Sequence, residues 1–435
     1  MSATGNPLID NAPHEWRVLT VDEVKSSERH ACVAGPFGSS ISSKFFTDVG
    51  VPVIRGSNLT IGLERFIARD FVFVSAETAS KFSAQTVCAG DLVFTCWGTI
   101  GQVGLIPNDG PFDRYIISNK QLKLRVDRDI LDPLFAFYFF AAPESVRYIQ
   151  DRAIGSAVPG INLGILKSLP VLIPPLFIQK RIVAILGAYD DLIEVNRRRI
   201  SVLEEIARGL FDEWFVRFRF PGYEDIPILD TPDGPLPEGW VWGAFRDLAR
   251  EVRLTISPEN SPADTPYVGL EHMPRRSITL DQHGRAKDVS SLKSRFQHGD
   301  VLFGKIRPYF HKVVYAPFDG VSSTDAIVWR PVAGLAAQAL AVASSDAFVA
   351  YSVQTSNGTK MPRANTGVLA DYRCALASSD IASRFQDTVG PIAELCATLQ
   401  AANQRLAASR DLLLPRLISG QLSVTQAERE LEKAA

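Results

Sequence analysis

The amino-acid sequence predicts an α+β fold in which two similar mixed α/β domains are joined by two long helices that form an antiparallel coiled coil. Three observations lead to this prediction. A long stretch of sequence occurs twice, an apolar heptad pattern follows each copy, and runs of β-branched and aromatic residues precede each copy. A repeat on this scale exceeds the roughly 20 to 50 residues of a solenoid unit, so it indicates duplication of whole domains.

The duplication is clearest in a loop rich in glycine, proline and asparagine. Its first copy begins at Gly155 and its second at Gly358. The matched positions are Pro159 and Pro362, Asn162 and Asn365, Gly164 and Gly367, and Leu166 and Leu369. Every pair is 203 residues apart (362 − 159 and 365 − 162, for example), a constancy that is difficult to obtain by chance. A chain of two similar halves suggests a partner that also offers two similar half-sites.

Strand patterns lie upstream of each copy. Gly90-Asp-Leu-Val-Phe matches Gly299-Asp-Val-Leu-Phe, and both are apolar runs bounded by turn residues, as in buried strands. The alternating Gln121-Leu-Lys-Leu-Arg-Val is typical of a half-buried strand. Asp132-Pro precedes an aromatic stretch and indicates a capped helix. The predicted domains are 1–173 and 237–378, the long helices are 174–216 and 379–420, the turn-rich linker is 217–236, and the tail is 421–435.

The long helices carry apolar residues at heptad spacing. In the first helix this series is Ile182, Tyr189, Asn196, Leu203 and Leu210, and in the second it is Ile392, Leu399, Leu406 and Leu413. We assign the first series to position a, with Ile185, Leu192 and Ile206 three residues later at position d. A helix from Pro175 to about Trp214 would be roughly 55–60 Å long, too long for one compact domain to bury. The two long helices are therefore predicted to pack on each other, and in antiparallel orientation so that the two domains lie at opposite ends. The alternative is that each helix packs only on its own domain.

Composition narrows the class of protein. The chain has 435 residues, 46% of them hydrophobic, and a formal net charge of −2, so DNA binding would require positive charge concentrated on one face. The cysteines are expected to be buried free thiols in a reducing compartment, and no zinc-ligand spacing occurs. No apolar run approaches the length of a membrane span, and the first residues do not resemble a signal peptide.

Catalytic motifs are absent from the sequence. It contains no Asp/Asn-Pro-Pro-Tyr/Phe motif of amino-methyltransferases, no phosphate-binding Walker loop and no Gly-x-Ser-x-Gly elbow. The carboxylate pairs Asp190-Asp191 and Glu204-Glu205 lie on a predicted long helix, where we expect solvated faces and not a metal site. The residues alone favour a duplicated binding protein without chemistry of its own.

Both long helices carry a further resemblance. The stretch from Lys167-Ser-Leu-Pro-Val-Leu-Ile-Pro-Pro through Asn196-Arg-Arg-Arg-Ile resembles the central conserved region of type I restriction–modification specificity subunits. Leu414-Pro-Arg-Leu-Ile-Ser-Gly-Gln-Leu is similar to their C-terminal conserved region, and the run from Gly90 to Gly104 to a pattern in their target recognition domains.

This resemblance implies a function. Such a subunit holds two target recognition domains on a helical pair, and each domain recognises one half of a bipartite double-stranded DNA site. Two methyltransferase subunits dock on it and methylate adenine N6 with S-adenosylmethionine, and restriction and translocase subunits use ATP and Mg²⁺. The chain itself would be cytoplasmic, bind no cofactor and have no catalytic residue. The alternatives are a coiled-coil adaptor without DNA sequence recognition, or an enzyme with disguised motifs.

Candidate DNA contacts follow from the donors that bases and phosphates accept. In the first domain they are Ser39, Ser40, Lys44, Arg55, Ser57, Asn58, Trp97, Gln102 and Lys120, with Ser156 and Asn162 in the repeated loop. In the second domain they are Arg275, Arg276, Lys305, Arg307, Tyr309, His311, Lys312, Lys360 and Arg363. Asn162 and Asn365 could instead cap the turn that follows them. Arg197, Arg198 and Arg199 could contact the DNA backbone or form a solvated helix face.

Overall fold

The computed structural model describes residues 4–38, 40–155, 158–358 and 360–434, with side chains up to residue 430. The chain forms two compact units. Unit 1 comprises residues 1–191 and 407–435, and unit 2 comprises residues 192–406. Both unit boundaries fall inside the long helices, so each unit contains one mixed domain and a part of each helix.

Unit 1 contains a mixed domain built around three sheets. Its elements before the first long helix are α1 (Pro7–Asp10), β1 (Arg17–Thr20), α2 (Val21–Val24), β2 (Cys32–Ala34), β3 (Phe46–Thr47), β4 (Val51–Ile54), β5 (Val72–Val74), α3 (Ala76–Ser80), β6 (Thr86–Val87), β7 (Leu92–Thr95), β8 (Val103–Leu105), β9 (Tyr115–Ile117), β10 (Gln121–Leu124), α4 (Pro133–Ala141), α5 (Pro143–Gln150), α6 (Leu163–Ser168) and β11 (Pro170–Ile173). The strand orders are β1-β11, β2-β10-β7-β8 and β3-β5-β4-β9-β6. The aromatic helix α4 is the centre of the core, because its phenylalanines are almost completely buried. Asp132 caps this helix and Pro133 begins it, as the sequence predicted.

The first long helix, α7 (Leu176–Phe211), continues into a π-helical turn at Asp212–Val216. Unit 2 then contains β12 (Ile228–Thr231), β13 (Gly234–Pro237), β14 (Val241–Ala244), α8 (Phe245–Leu248), β15 (Ala249–Glu251), β16 (Thr255–Ile256), β17 (Pro266–Val268), β18 (Gly284–Arg285), β19 (Lys293–Phe296), β20 (Val301–Gly304), β21 (Val313–Tyr315), β22 (Gly320–Ser323), β23 (Ala326–Pro331), α9 (Ala336–Ala343), α10 (Asp346–Gln354), α11 (Thr366–Ala370) and β24 (Arg373–Leu376). The second long helix, α12 (Ser379–Ile418), is followed by α13 (Val424–Ala434) in unit 1.

The two mixed domains share one topology. The sheet β15-β23-β20-β21 of unit 2 repeats β2-β10-β7-β8, and β14-β24 repeats β1-β11. In the five-stranded sheets the run β19-β22-β17-β18 repeats β6-β9-β4-β5, and only the extra edge strand differs. The predicted duplication is therefore confirmed strand by strand.

An arginine–aspartate fork with a buried carboxylate recurs in both sheets. Arg125 donates to both carboxylate oxygens of Asp91 at 2.7 and 2.8 Å, and Arg330 does the same to Asp300 at 2.9 and 2.8 Å. Asp91 and Asp300 follow Gly90 and Gly299 in the repeated Gly-Asp motif, which explains why that motif is repeated. A two-pronged pair of this kind has both directional and electrostatic strength.

The long helices pair in antiparallel orientation, as predicted. In unit 2, Asn196 Nδ2 donates to Asn403 Oδ1 at 2.9 Å, and both side chains are buried. In unit 1, Arg410 donates to Asp190. Also in unit 2, Cys396 Sγ lies 4.0 Å from Ile200 O, so the sequence number rises along α7 while it falls along α12. The alternative in which each helix packs only on its own domain is excluded.

Of the three predicted d positions of α7, Ile185 is buried as expected, whereas Leu192 and Ile206 are wrong. Leu186, Ile193, Ile200 and Ala207 are buried, whereas Leu192 and Ile206 are 53% and 47% exposed. The second buried series therefore lies four residues after the first series and not three, so Ile182, Tyr189, Asn196, Leu203 and Leu210 occupy d positions. A helix brings residues at both +3 and +4 beside a given position, and the sequence pattern fitted either choice. Among the predicted helix-pair residues, Ile182 and Asn196 are buried and the others, including Ile392, Leu399, Leu406 and Leu413, are half-buried.

One member of each predicted solvated carboxylate pair is engaged by the protein, contrary to expectation: Glu204 is buried and Asp190 is half-buried. In unit 1, Asp190 accepts hydrogen bonds from Tyr138 at 2.5 Å and Arg65 at 3.2 Å, besides Arg410. In unit 2, Glu204 Oε1 accepts from the backbone N–H and the hydroxyl of Thr279 at 3.0 and 2.7 Å. These contacts fasten each mixed domain to its part of α7. The sequence could not show them, because the donors lie far away along the chain.

The cysteines are free, and all except the half-buried Cys88 are buried. Burial raises the pKa of Cys32 and Cys96 to about 11 and that of Cys374 to about 12. These thiols are therefore protonated at neutral pH and unreactive. No helix in the described part of the chain has the length and apolar character needed to cross a bilayer.

We predict that Asn196→Leu lowers the free energy of unfolding of unit 2 by about 1–3 kcal/mol, because it leaves the buried Asn403 amide without its partner. The double variant Asn196→Leu/Asn403→Leu should recover most of this loss, since two apolar side chains then meet. Urea unfolding of the two single variants and the double variant measures the coupling. Strictly additive losses would show that the two amides do not interact.

Candidate nucleic-acid interface

A turn between β7 and β8 forms the centre of the candidate interface in unit 1. It places Trp97 at the surface, 42% exposed, and is held from below by the repeated Gly/Pro/Asn loop. Ile161 N–H donates to Cys96 O at 2.9 Å, and Trp97 forms an isolated antiparallel β-bridge with Gly160. A Cβ on Gly160 would lie 2.4 Å from the indole ring, so glycine is needed where the indole crosses the loop. The repeated loop thus presents an exposed aromatic ring in a fixed position.

This turn borders a cleft of about 400 Å³ in unit 1. Four predicted contacts line it, namely Arg55, Trp97, Gln102 and Lys120. The cleft also includes Thr99 and Asn119, which the sequence analysis did not select. Asn119 adjoins Ser118, which matches Ser323 in the second copy of the duplicated sequence, and this match was the signal that could have identified Asn119. The structure therefore brings together residues that lie up to 65 positions apart in sequence (120 − 55).

Three of the predicted contacts in unit 1 are occupied by protein partners. Gln102 Nε2 donates to Gly56 O and Leu59 O at 3.2 and 2.9 Å, and its Oε1 accepts from Thr95. Asn58 is fully buried, and its amide donates to two backbone carbonyls. Asn162 caps α6 by accepting from Ile165 N–H at 2.8 Å, the alternative already considered, and Asn365 caps α11 in the same way. An amide that can recognise adenine can equally satisfy backbone groups, so residue type alone does not separate the two roles.

The other predicted contacts in unit 1 lie at the surface. Ser40, Lys44, Ser57 and Lys120 are exposed, and Arg55 is half-buried. Ser39 and Ser156 lie outside the described residues.

Unit 2 repeats the turn with different side chains. Ala364 N–H donates to Lys305 O at 2.9 Å, as Ile161 N–H does to Cys96 O. Ile306 forms an isolated β-bridge with Arg363, as Trp97 does with Gly160. Arg307 N–H donates to Pro362 O at 2.8 Å, just as Gly98 N–H donates to Pro159 O at 3.4 Å. The two turns are therefore built on one backbone frame.

Arg307 has a left-handed backbone, with φ of +49°, at the position where Gly98 has φ of +94°. His311, four residues later, has φ of +52°. Left-handed conformations are unfavourable for residues with a Cβ, by about 1–3 kcal/mol, and they concentrate at functional sites. The strain at Arg307 marks this turn as a site where an arginine is present despite its conformational cost.

Two other predicted residues of this turn support it from inside. His311 is buried, its Nε2 lies 2.8 Å from Ser344 O, and burial lowers the pKa of its imidazole. Lys312 donates to Leu270 O, and burial lowers the pKa of its ammonium group. Both side chains are therefore engaged by the protein and support the turn, and their predicted role as DNA contacts stays a prediction.

The remaining candidates in unit 2 form an exposed basic rim. The Arg275 guanidinium lies 4.1 Å from the centre of the Phe310 ring, and Arg276 pairs with Asp346 at 3.0 Å. Arg363 pairs weakly with Asp325 at 3.7 Å. Tyr309 and Lys360 are exposed, and Lys305 is half-buried. Positive charge is therefore gathered around the turn although the whole chain has a net charge of −2.

Comparison with known proteins supports the resemblance stated above. Residues 37–205 match the model described as the type I restriction modification DNA specificity domain. The MjaIX type I restriction enzyme specificity subunit of Methanocaldococcus jannaschii is 23% identical over 440 residues, which cover 96% of each chain. Over nearly its whole length the chain is similar to type I restriction–modification specificity subunits. The resemblance of the conserved regions is thereby confirmed.

Further relatives agree with this family. The HindI specificity subunit of Haemophilus influenzae is 24% identical over 380 residues, covering 72% of this chain and 83% of that protein. The crystal structure of the type I S subunit from M. genitalium matches with a TM-score of 0.53 at 13% identity, over 93% of this chain and 96% of that one. This structural match supports the fold, two mixed domains with paired long helices.

Proposed function

We propose that this chain is the DNA sequence-recognition subunit of a type I restriction–modification complex and that it recognises a bipartite site. The observation that carries the proposal is the repeated turn. Two domains with the same strand order each hold a turn between equivalent strands on an equivalent Pro/Asn loop. A chain that contains the same turn and loop in both domains fits a DNA target with two half-sites.

The chemistry around the turns supports contact with DNA. Arginine and lysine side chains bind phosphate oxygens or guanine, and an exposed aromatic ring can pack against bases or the thymine methyl group. The turn of unit 1 offers Trp97 and Lys120, and that of unit 2 offers Arg307 and Arg363. Their clustering answers the objection raised by the overall net charge, since binding depends on local and not on total charge.

We assign the chemical steps to partner subunits. The motifs for methyl transfer, phosphate binding and acyl transfer are absent from the sequence, and the chain supplies recognition only. On this proposal S-adenosylmethionine, ATP and Mg²⁺ are bound by the methyltransferase and restriction subunits, and two methyltransferase subunits assemble on one copy of this chain.

An apolar stripe on α7 fits the docking of a methyltransferase subunit. Leu192, Val195, Val202 and Ile206 are 42–53% exposed, and they are spaced three, seven and four residues apart. This spacing places them on one face of the helix, outside the pairing with α12. Leu192 and Ile206, which were wrongly predicted to face α12, therefore belong to a second apolar face that suits the helices of a partner.

Sequence-selective binding tests the proposal against the adaptor hypothesis. The chain, assembled with its methyltransferase subunits, should select two short words separated by a fixed unread spacer from a random DNA library. Its affinity should fall steeply with salt concentration, because phosphate contacts release counterions. Assembly without any sequence preference would favour the adaptor, and methylation by the purified chain alone would favour an enzyme.

The partner face is tested separately. Val202→Asp should weaken assembly with the methyltransferase subunit at least tenfold, because it places a carboxylate in an apolar contact. Ser201→Asp is the matched control, since it adds the same charge at the adjacent exposed position. Sedimentation velocity of mixtures measures assembly, and circular dichroism verifies that both variants fold. Equal behaviour of the two variants would contradict a partner face at this stripe.

A further inference from the structure

Two arginines occupy non-equivalent places in the repeated frame. The first place is the loop that follows the parallel strand β4 in unit 1 and β17 in unit 2. Ile54 pairs with Ile117 in unit 1, and Val268 pairs with Ser322 in unit 2. The next residue is therefore Arg55 in one unit and Gly269 in the other.

A shared hydrogen bond supports this alignment. Arg55 N–H donates to the side chain of Asn58 at 3.0 Å, and Gly269 N–H donates to Nδ1 of His272 at 2.9 Å. In both units the acceptor lies three residues after the donor. The buried side chain of Asn58 and the ring of His272 therefore have the same supporting task beneath the loop.

The second place is the turn described above. Thr95 pairs with Gln121 in unit 1, and Gly304 pairs with Ala326 in unit 2, so the residue three positions later is Gly98 or Arg307. Arginine and glycine are thus exchanged between the two places: unit 1 has Arg55 with Gly98, and unit 2 has Gly269 with Arg307. Each unit holds one arginine at one of the two places.

The electrostatic state of these two arginines differs from that of the structural ones. Arg125 and Arg330 form two-pronged pairs with aspartates. Arg55 and Arg307 form no ion pair with any residue that the structure describes, and the Nε atom of each is buried without a hydrogen-bond acceptor there. Arg55 donates only from its Nη2, to Asp70 O at 3.0 Å. Nη1 of Arg55 and both Nη atoms of Arg307 also have no acceptor among the described residues, and for these groups a ligand can supply one.

We propose that Arg55 and Arg307 each recognise one guanine, at different positions within the two half-sites. Guanine offers O6 and N7 as paired acceptors in the major groove, which match the planar fork of a guanidinium group. The anchored Nη2 of Arg55 and the left-handed backbone of Arg307 limit the movement of each fork, as base recognition requires. The inference rests on the proposed function, and it adds that the DNA site is asymmetric because the arginine is placed differently in the two units.

The test uses the complex of this chain with its methyltransferase subunits and measures binding to DNA randomised at each position, at fixed salt. The variants are Arg307→Gly and Arg55→Gly, each of which introduces the residue that the other unit has at that place. Glycine adopts the left-handed backbone conformation of Arg307 without strain, so the Arg307→Gly variant should fold. Each variant should lose about 5-fold to 150-fold preference for guanine at one position of one half-site, leaving the other half-site unchanged.

Lysine variants separate base recognition from phosphate contact. Arg307→Lys and Arg55→Lys keep the charge but lack the fork, so on the proposal they should not restore guanine preference. Full restoration by lysine, or equal loss of affinity for all sequences with a smaller salt dependence, would identify phosphate contacts and overturn the inference. Unchanged preference in the glycine variants would also overturn it. A parent complex that prefers no sequence would instead contradict the proposed function itself.

Exposed basic residues provide the control for nonspecific charge effects. Arg363→Ala removes an exposed positive charge from the same turn region of unit 2, where the guanidinium already has Asp325 at 3.7 Å. This variant should lower affinity for all sequences to a similar extent and keep the guanine preference of that half-site. A loss of guanine preference in Arg363→Ala but not in Arg307→Gly would reassign the recognition to Arg363.

Discussion

The hydrogen bond between Asn196 and Asn403 sets the register in which the two long helices pair. A buried amide pair is a poor source of stability, but any shift of one helix along the other would leave both amides without partners. In unit 1, Asp190 accepts a hydrogen bond from Arg410, and the same carboxylate accepts one from Tyr138 of the mixed domain. Helix pairing and domain attachment in unit 1 are therefore parts of one network.

In unit 2 a different carboxylate attaches the mixed domain to α7. Glu204 accepts hydrogen bonds from backbone and hydroxyl groups of the stretch from Ser277 to Thr279. In unit 1 the corresponding task falls to Asp190 with an arginine and a tyrosine. Duplication thus preserved the backbone frame while the side chains that fasten it changed. The same divergence separates Trp97 from Ile306 and Gly98 from Arg307, on turns that are superficially unlike in sequence but share their hydrogen bonds.

Much of the fold could be predicted from the sequence, because the predictive signals were local or periodic. Repeated motifs such as Gly90-Asp and Pro159-x-x-Asn162 gave the duplication, and heptad spacing gave the helices. The phase of the heptad was wrong at Leu192 and Ile206, since an apolar face packed on the other helix and an apolar face left exposed look alike in one sequence. The burial of Glu204 was missed for a different reason: its donors lie more than 70 residues away in sequence.

The candidate interface was only partly predictable. Residue type correctly drew attention to the turns, but it could not distinguish a side chain that faces the cleft from one that supports it. Gln102, Asn58, His311 and Lys312 have the right donors for DNA, yet the fold uses those groups internally. Conversely, the non-equivalent positions of Arg55 and Arg307 could be recognised only from the strand pairing, which aligns each arginine with a glycine in the other unit.

The most direct measurement of the central claim is a map of methylated adenines in DNA from cells that express this chain with its methyltransferase subunits. Two domains that share a frame but differ in their side chains should specify two different words. We expect one methylated adenine in each of two unlike words, always separated by the same number of unspecified base pairs. A single continuous word, or two identical halves, would contradict it.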